Sequence, residues 1–312
     1  MNIQQLEYII AVDTFRHFAK AAEYCHITQP TLSMMIQKFE EDLNVQIFDR
    51  TQHPVVPTAI GSQIIDQARI SLKHFGQIKE LVEQEQQLSV GKFTLGIIPT
   101  IASYIVPVLL SRQQDKSKKI TLTLKENTSA YLIRNVLNGT LDGALMAGPL
   151  HHAGLTEYPV YYEKFYAYVS PKDKAYKLKK IDLQKLDINN VWLLENEHCL
   201  RGQIEHLCQM KRQSATSNTV QYASGSIDTL VHIVDYNNGI TIIPEMHAMG
   251  MSEEQQEHLR EFKNTIAVRE VSLVVSKEYI RKTMINNLIM LIKGVVPKSM
   301  QDDSLKQYVV NL

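Results

Sequence analysis

"FRHFAKAAEYCHITQPTLSMMIQKFEEDLNVQIFDR", residues 15–50, is the stretch whose reading decides the fold. Phe18, Ala21, Ala22 and Cys25 line one face of a short helix, and Ala22 is small enough to let a second helix approach closely. "HITQP" is a turn. Pro30 suits the first turn of the next helix, where its missing N–H leaves nothing unpaired. That helix, about residues 30–42, buries Leu32, Ile36 and Phe39 and turns Thr31, Ser33, Gln37 and Lys38 outward. The pattern fits a helix-turn-helix, whose second helix offers base-edge and phosphate contacts to the major groove. "FDRTQHPVVPTAIG" then reads as a short two-stranded wing, with Arg50 placed to reach a phosphate. The candidate DNA-contacting residues are Gln29, Pro30, Thr31, Ser33, Gln37, Lys38 and Arg50. A small structural three-helix bundle would show the same spacing. Charge favours the bundle: residues 1–91 carry 7 Lys and Arg against 11 Asp and Glu, a net of −4. Modules that bind nucleic acid are ordinarily basic. DNA binding therefore requires the few cations on one face and more than one copy of the module per site.

Outward from this motif the texture changes twice. Residues 58–89 contain no proline and read as one long helix with Thr58 as N-cap. Ile64, Ala68, Leu72, Phe75, Ile78 and Val82 recur every three or four positions, a narrow seam suited to pairing subunits. After "SVGK" strands and helices alternate: "FTLGII", "SYIVPVLLSRQ", "ITLTLKE", "AYLIRNVLNG" with Gly139 as C-cap, and "LDGALMAG". The pattern restarts at "FYAYVSP" and runs through "VWLLEN", "SIDTLVHIVDYNNG" and "ITIIPE". "EVSLVVS" returns as a strand, and "YIRKTMINNLIMLIKGVV" closes as an amphipathic helix. Alternation of this kind predicts βαβ units and a parallel sheet. A chain that crosses and comes back predicts two α/β lobes with a cleft between them. The division is 1–57, 58–89 and 90–312, with lobe I at about 90–163 and 267–312 and lobe II at about 164–266.

Composition narrows the compartment and the chemistry. A chain of 312 residues, 44% apolar, supports more than one core. Formal charge is balanced. The start "MNIQQLEYIIAVDTFRHF" has no export leader, and no apolar run approaches the ~20 residues of a membrane span. A soluble, cytoplasmic protein without a membrane partner is expected. Three cysteines in a reducing compartment make no structural framework, so any bridge would be a transient signal. "HH" at 151–152 and "EHLC" at 205–208 lack the spacing of metal ligands, and neither metal nor cofactor is expected. The acidic run "EEQQEHLREF" reads as an exposed helix.

The frame "AAEYCHITQPTLSMMIQKFEEDLNVQIFDR", the long helix behind it and the two-lobed remainder resemble a LysR-type transcriptional regulator over essentially the whole chain. That resemblance implies a winged helix-turn-helix, a linker helix and a regulatory domain built like a periplasmic binding protein. It also implies promoter DNA and RNA polymerase as partners and a homodimer or homotetramer at the nucleoid. "IPT" at 98–100, "EHCLRGQ" at 197–203, Cys208 and "SGSIDTLVHIVDYNNGITIIP" at 224–244 are similar to the peroxide-sensing members of that family. The resemblance makes Cys199 the thiol that hydrogen peroxide oxidises and Cys208 its resolving partner. Thr100 and Ser129 become the hydroxyls beside the peroxide, with His198, Arg201 and Arg269 as support. Gly202 departs from the pattern, which has an aspartate there.

The thiolate is the species that attacks peroxide. A helix start at Cys199 and the cations Arg201, Arg269 and protonated His198 would favour it, while Thr100 and Ser129 would hold the peroxide in line. The sulfenic acid so formed condenses with a second thiol. In one continuous helix, Cys199 and Cys208 would lie about 13 Å apart along the axis, against the roughly 4.4–6.8 Å a disulfide allows. Bond formation and local refolding would then be one event, reset by glutaredoxin or thioredoxin. Cys25 reads as a small core residue. Three rivals remain at this stage. They are a LysR-type regulator that takes a small organic effector in the cleft, a thiol peroxidase, and an exported solute-binding protein.

Overall fold

The computed structural model describes residues 2–85, 91–112, 120–186, 190–195, 199–207 and 225–310. The chain forms two compact units, one centred on residues 1–88 and one on residues 89–312.

In the first unit α1 (Ile3–Phe15), α2 (Phe18–Tyr24) and α3 (Gln29–Leu43) precede a two-stranded wing, β1 (Phe48–Asp49) antiparallel to β2 (Val56–Pro57), and the long α4 (Ala59–Glu85). Each short helix is capped by its own sequence. Asn2 and Gln5 form a capping box on α1, the His17 ring accepts from Ala19 N–H on α2, and Thr28 accepts from Thr31 N–H on α3. Each cap satisfies N–H groups that the first helical turn leaves without partners. Leu32, Ile36 and Phe39 of α3 are buried against Ile9, Val12, Ala21 and Ala22, as the spacing requires.

The start of α4 is held unusually close to the wing. Thr58 caps it, its hydroxyl accepting from Gly61 N–H and donating to Gln46 O at 2.7 Å. A Cβ on Gly61 would sit 1.9 Å from the Ile47 carbonyl oxygen, so only glycine permits this approach. The expected seam along α4 divides in two. Ala68 is buried in this unit's own core together with Ile65, and the half-buried Ile64 packs against it. Further along, Phe75 and Ile78 are exposed, and the side chain of Val82 lies outside the described residues.

The second unit is built on an eight-stranded sheet. β3 (Gly91–Ile97), α5 (Pro99–Arg112), β4 (Ile120–Glu126), α6 (Ser129–Leu137) and β5 (Gly143–Gly148) supply the expected βαβ layer, with β3 parallel to both β4 and β5. Gly139 takes φ +79° just beyond α6, the left-handed cap that glycine accommodates. Beyond β5 the sheet stops being parallel. β6 (Leu155–Val169) is one strand of 15 residues, and the returning β10 (Val268–Ser276) lies antiparallel between it and β5. β6 changes partner along its length: Lys164 pairs with Val268, and Phe165 with Pro244. One strand thus leaves lobe I and enters lobe II without a break.

Lobe II adds β7 (Lys180–Ile181), α7 (Cys199–Leu207), α8 (Ile227–Tyr236), β8 (Ile240–Pro244), α9 (Glu245–Met249), α10 (Glu253–Gln256) and β9 (Leu259–Phe262) before β10, and α11 (Lys282–Lys293) closes lobe I. Leu200 and Ile204 of α7 are buried with Leu230, Val231 and Val234 of α8. Two expectations are corrected here. "VWLLEN" contributes isolated bridge residues, Val191 (to Ile240) and Leu194, instead of a strand among the described residues. The acidic run splits into the one-turn α10 and the strand β9, because Leu259 and Phe262 pack inward. Among the described residues no helix is long and apolar enough to cross a membrane.

Candidate functional site

On the outward face of α3, Gln29, Pro30, Thr31, Gln37 and Lys38 are exposed and Ser33 is half-buried. Several of these side chains already have partners. The hydroxyls of Thr31 and Thr28 lie 2.8 Å apart, and Gln37 Nε2 donates to Glu41 at 3.0 Å. Arg50 is held on three sides. Its Nη2 bonds Glu40 at 2.8 Å, its Nη1 donates to Ser33 at 3.2 Å, and its guanidinium lies over the Phe18 ring. The Glu40 carboxylate is buried and also accepts from the N–H groups of Ile47 and Phe48. One acid therefore ties α3 to the wing. Asp13 is similarly engaged by Arg16 and Arg69, each at 2.8 Å. Part of the unit's negative charge is spent on holding it together.

In the second unit the sequence-predicted residues fall at helix starts. Thr100 is in the first turn of α5, Ser129 opens α6 and Cys199 opens α7. A helix start carries partial positive charge, which favours an anion beside it. Cys199 is a free, half-buried thiol. His198 and Cys208 lie outside the described residues.

Arg269 and Glu163 are neighbours in register on β10 and β6, and both are fully buried. Arg269 Nε bonds Glu163 at 2.7 Å, while its Nη1 and Nη2 donate to the Thr100 hydroxyl and carbonyl at 3.0 and 3.1 Å. The second Glu163 oxygen accepts from Met246 N–H. Arg269 therefore presents a neutralised pair and not a free charge. It occupies an acceptor site on the Thr100 hydroxyl and leaves the Thr100 O–H to donate. The Ser129 hydroxyl is buried with no hydrogen-bond partner among the described residues. Arg201 bonds Glu205 at 2.8 Å and the Leu194 carbonyl at 2.9 Å. It pins the start of α7 to the preceding segment. Gly202 is exposed in the middle of that helix, and the buried Gln203 amide has no hydrogen-bond partner among the described residues.

A cleft of about 100 Å³ opens between the lobes, lined by Thr100, Ser103 and Tyr104 on one side and Ser226, Asp228 and His247 on the other. Sequence reasoning missed a pair in it, the half-buried Tyr104 and the buried His247. Tyr104 Oη and His247 Nδ1 are 2.6 Å apart, and His247 Nε2 lies 3.8 Å from the Asp228 carboxylate. Burial holds the His247 imidazole below its ordinary range, with Asp228 opposing and Arg269 adding to the effect. Burial also pushes Tyr104 up to about 12, helped by Asp228 and Glu163. Asp228 favours the imidazole proton on Nε2, which leaves Nδ1 to accept from Tyr104. Glu163 was legible in principle: an acid inside "VYYEKFYAYV" must be paired if that strand is buried.

A winged helix-turn-helix joined to a two-lobed α/β domain with a polar cleft is the build of a DNA-binding regulator that carries its own sensor. Residues 3–62 match the model for the bacterial regulatory helix-turn-helix protein, lysR family, and residues 86–296 match the LysR substrate binding domain. The chain belongs to the LysR family of bacterial transcription regulators. It is 30% identical to the hydrogen peroxide-inducible genes activator of Haemophilus influenzae, over 79% of this chain and 81% of the relative. It superposes on a full-length OxyR variant from Pseudomonas aeruginosa with a TM-score of 0.76 at 27% identity, covering 94% of this chain and 98% of that one. OxyR from Porphyromonas gingivalis matches at TM-score 0.62 and 29% identity over 68% of this chain and 96% of that one.

Proposed function

We propose that this regulator senses hydrogen peroxide through Cys199 and responds by joining it to Cys208. The Cys199 thiolate attacks one peroxide oxygen and takes it up as a sulfenic acid. The other oxygen leaves as water after gaining a proton. Thr100 donates its O–H to the peroxide, and Ser129 offers a second buried hydroxyl. The Cys208 thiol then displaces water from the sulfenic acid to form the disulfide.

The observation that carries this reading is the continuity of α7 from Cys199 to Leu207. Eight residues of helical rise put those two Cα atoms about 12 Å apart. The next Cα is only about 3.8 Å further along the chain. Cα 208 therefore cannot come nearer than about 8 Å while the helix stands, beyond disulfide reach. Closing the bond must unwind α7. Leu200 and Ile204 then leave the core they share with α8, and the surface carrying α8 changes. In a dimer or tetramer that change resets the spacing of the reading helices on promoter DNA, and so the contact with RNA polymerase. Glutaredoxin or thioredoxin would restore the thiols in the cytoplasm.

The test is peptide mapping of the full chain after brief micromolar peroxide, with footprints of both forms on promoter DNA. A loss of two hydrogens linking Cys199 to Cys208, with a footprint change absent in Cys199→Ser, is expected. Identical footprints would remove the switch. The polar cleft supports one other reading, a small organic effector seated against Thr100 and His247. That reading predicts a response that survives Cys199→Ser.

A further inference from the structure

The candidate readers on α3 leave a gap at the centre of the face they surround. Met34 fills it. At 100° per residue it points about 170° from the mean direction of Leu32, Ile36 and Phe39, and it is 62% exposed. Exposure of a single methionine is ordinary on a surface. What distinguishes this one is the state of its neighbours. Thr31 shares a hydrogen bond with Thr28, Ser33 accepts from Arg50, Gln37 donates to Glu41, and Arg50 is paired with Glu40. Bidentate reading of a base by these polar groups would first have to break bonds within the module. Gln29 and Lys38 make no such bonds among the described residues, but they lie towards the ends of the face. Met34 has nothing to break. Its unbranched thioether is polarisable and adapts to an irregular apolar surface. In the major groove the one apolar group on a base edge is the thymine C5 methyl.

We propose that Met34 is a specificity-determining residue, which reads a thymine methyl at the centre of each half-site. The proposal rests on α3 lying in the major groove. The full-length reduced chain is used to select duplexes from a random pool. Binding to a selected site is then measured with each thymine replaced in turn by deoxyuridine, which removes only the methyl. One thymine per half-site is expected to matter, its replacement weakening binding about four-fold, the worth of one buried methyl-sized group. Met34→Ala should weaken binding to the thymine site and become indifferent to that replacement. Lys38→Ala should weaken binding to all duplexes alike and keep the sensitivity. Selected sites with no methyl-sensitive thymine, or sensitivity unchanged in Met34→Ala, overturn the role of Met34 while groove binding stands. A pool that yields no enriched duplex overturns the groove reading and this proposal with it.

Discussion

Arg269 and Glu163 face each other across β10 and β6 at 2.7 Å with no solvent exposure on either side chain. A buried pair of this kind costs desolvation on both partners and is held only by good geometry and complete hydrogen bonding. Removing one partner should therefore hurt more than removing both. Glu163→Gln and Arg269→Met are each expected to lose about 3–5 kcal/mol, and the double variant less than either alone. Urea unfolding of the four proteins measures the coupling, and strict additivity would show that the pair does not act as a unit.

Glu40 plays a comparable part in the DNA-binding unit. Glu40→Ala leaves the buried N–H groups of Ile47 and Phe48 without an acceptor and Arg50 without its anion. Each unsatisfied buried donor costs about 1–3 kcal/mol. A melting-temperature drop in the first unit of several degrees is expected, with the second unit unchanged. Calorimetry of the full chain resolves the two.

Gly202 offers a handle on the switch. It is exposed within α7, where glycine weakens a helix by roughly 0.5–1 kcal/mol relative to alanine. Gly202→Ala should stabilise the helix that must unwind and so stabilise the reduced form. The Cys199–Cys208 potential is expected to rise by roughly 10–20 mV, taking 30 mV per 1.4 kcal/mol for two electrons. Redox titration in glutathione buffers reads this directly. No shift would mean that α7 stays folded in the oxidised form.

His247 gives the fold an acid-sensitive element. Its folded pKa lies below the ordinary 6.5 because it is buried. On acidification the unfolded chain takes up this proton first. The contribution of neutral His247 to stability is therefore intact above about 6.5, declines below it, and is lost as pH falls through the folded value. His247→Gln should flatten the fall in unfolding midpoint between pH 7.5 and 5.5. An unaltered slope would place the sensitivity elsewhere.

What the sequence revealed, and what it hid, follow from the range of the interactions. The inward face of α3, the Thr58 cap and the glycine after α6 rest on neighbours within a few residues, and all three were readable. The antiparallel β6–β10 pair joins segments more than a hundred residues apart in the chain, and alternation alone suggested parallel neighbours. Arg269 was picked out as a support, yet its partner Glu163 escaped notice because nothing local links them. Arg201 looked like a cation for the thiol. Its bonds to Glu205 and Leu194 follow from the folded position of the segment before α7 and could not be read from spacing alone. On α4 the spacing places Ile64 and Ala68 on the inward side, and both pack on the core of the first unit, where Ile65 is buried as well.

The absence of a side chain at Gly61 sets how the long helix transmits force. With its first turn seated on the Ile47 carbonyl and Arg69 tied to Asp13, α4 has no slack at its root. Any tilt of α4 would therefore have to carry the segment before the wing and the end of α1 with it, as the shank of a key carries its bit.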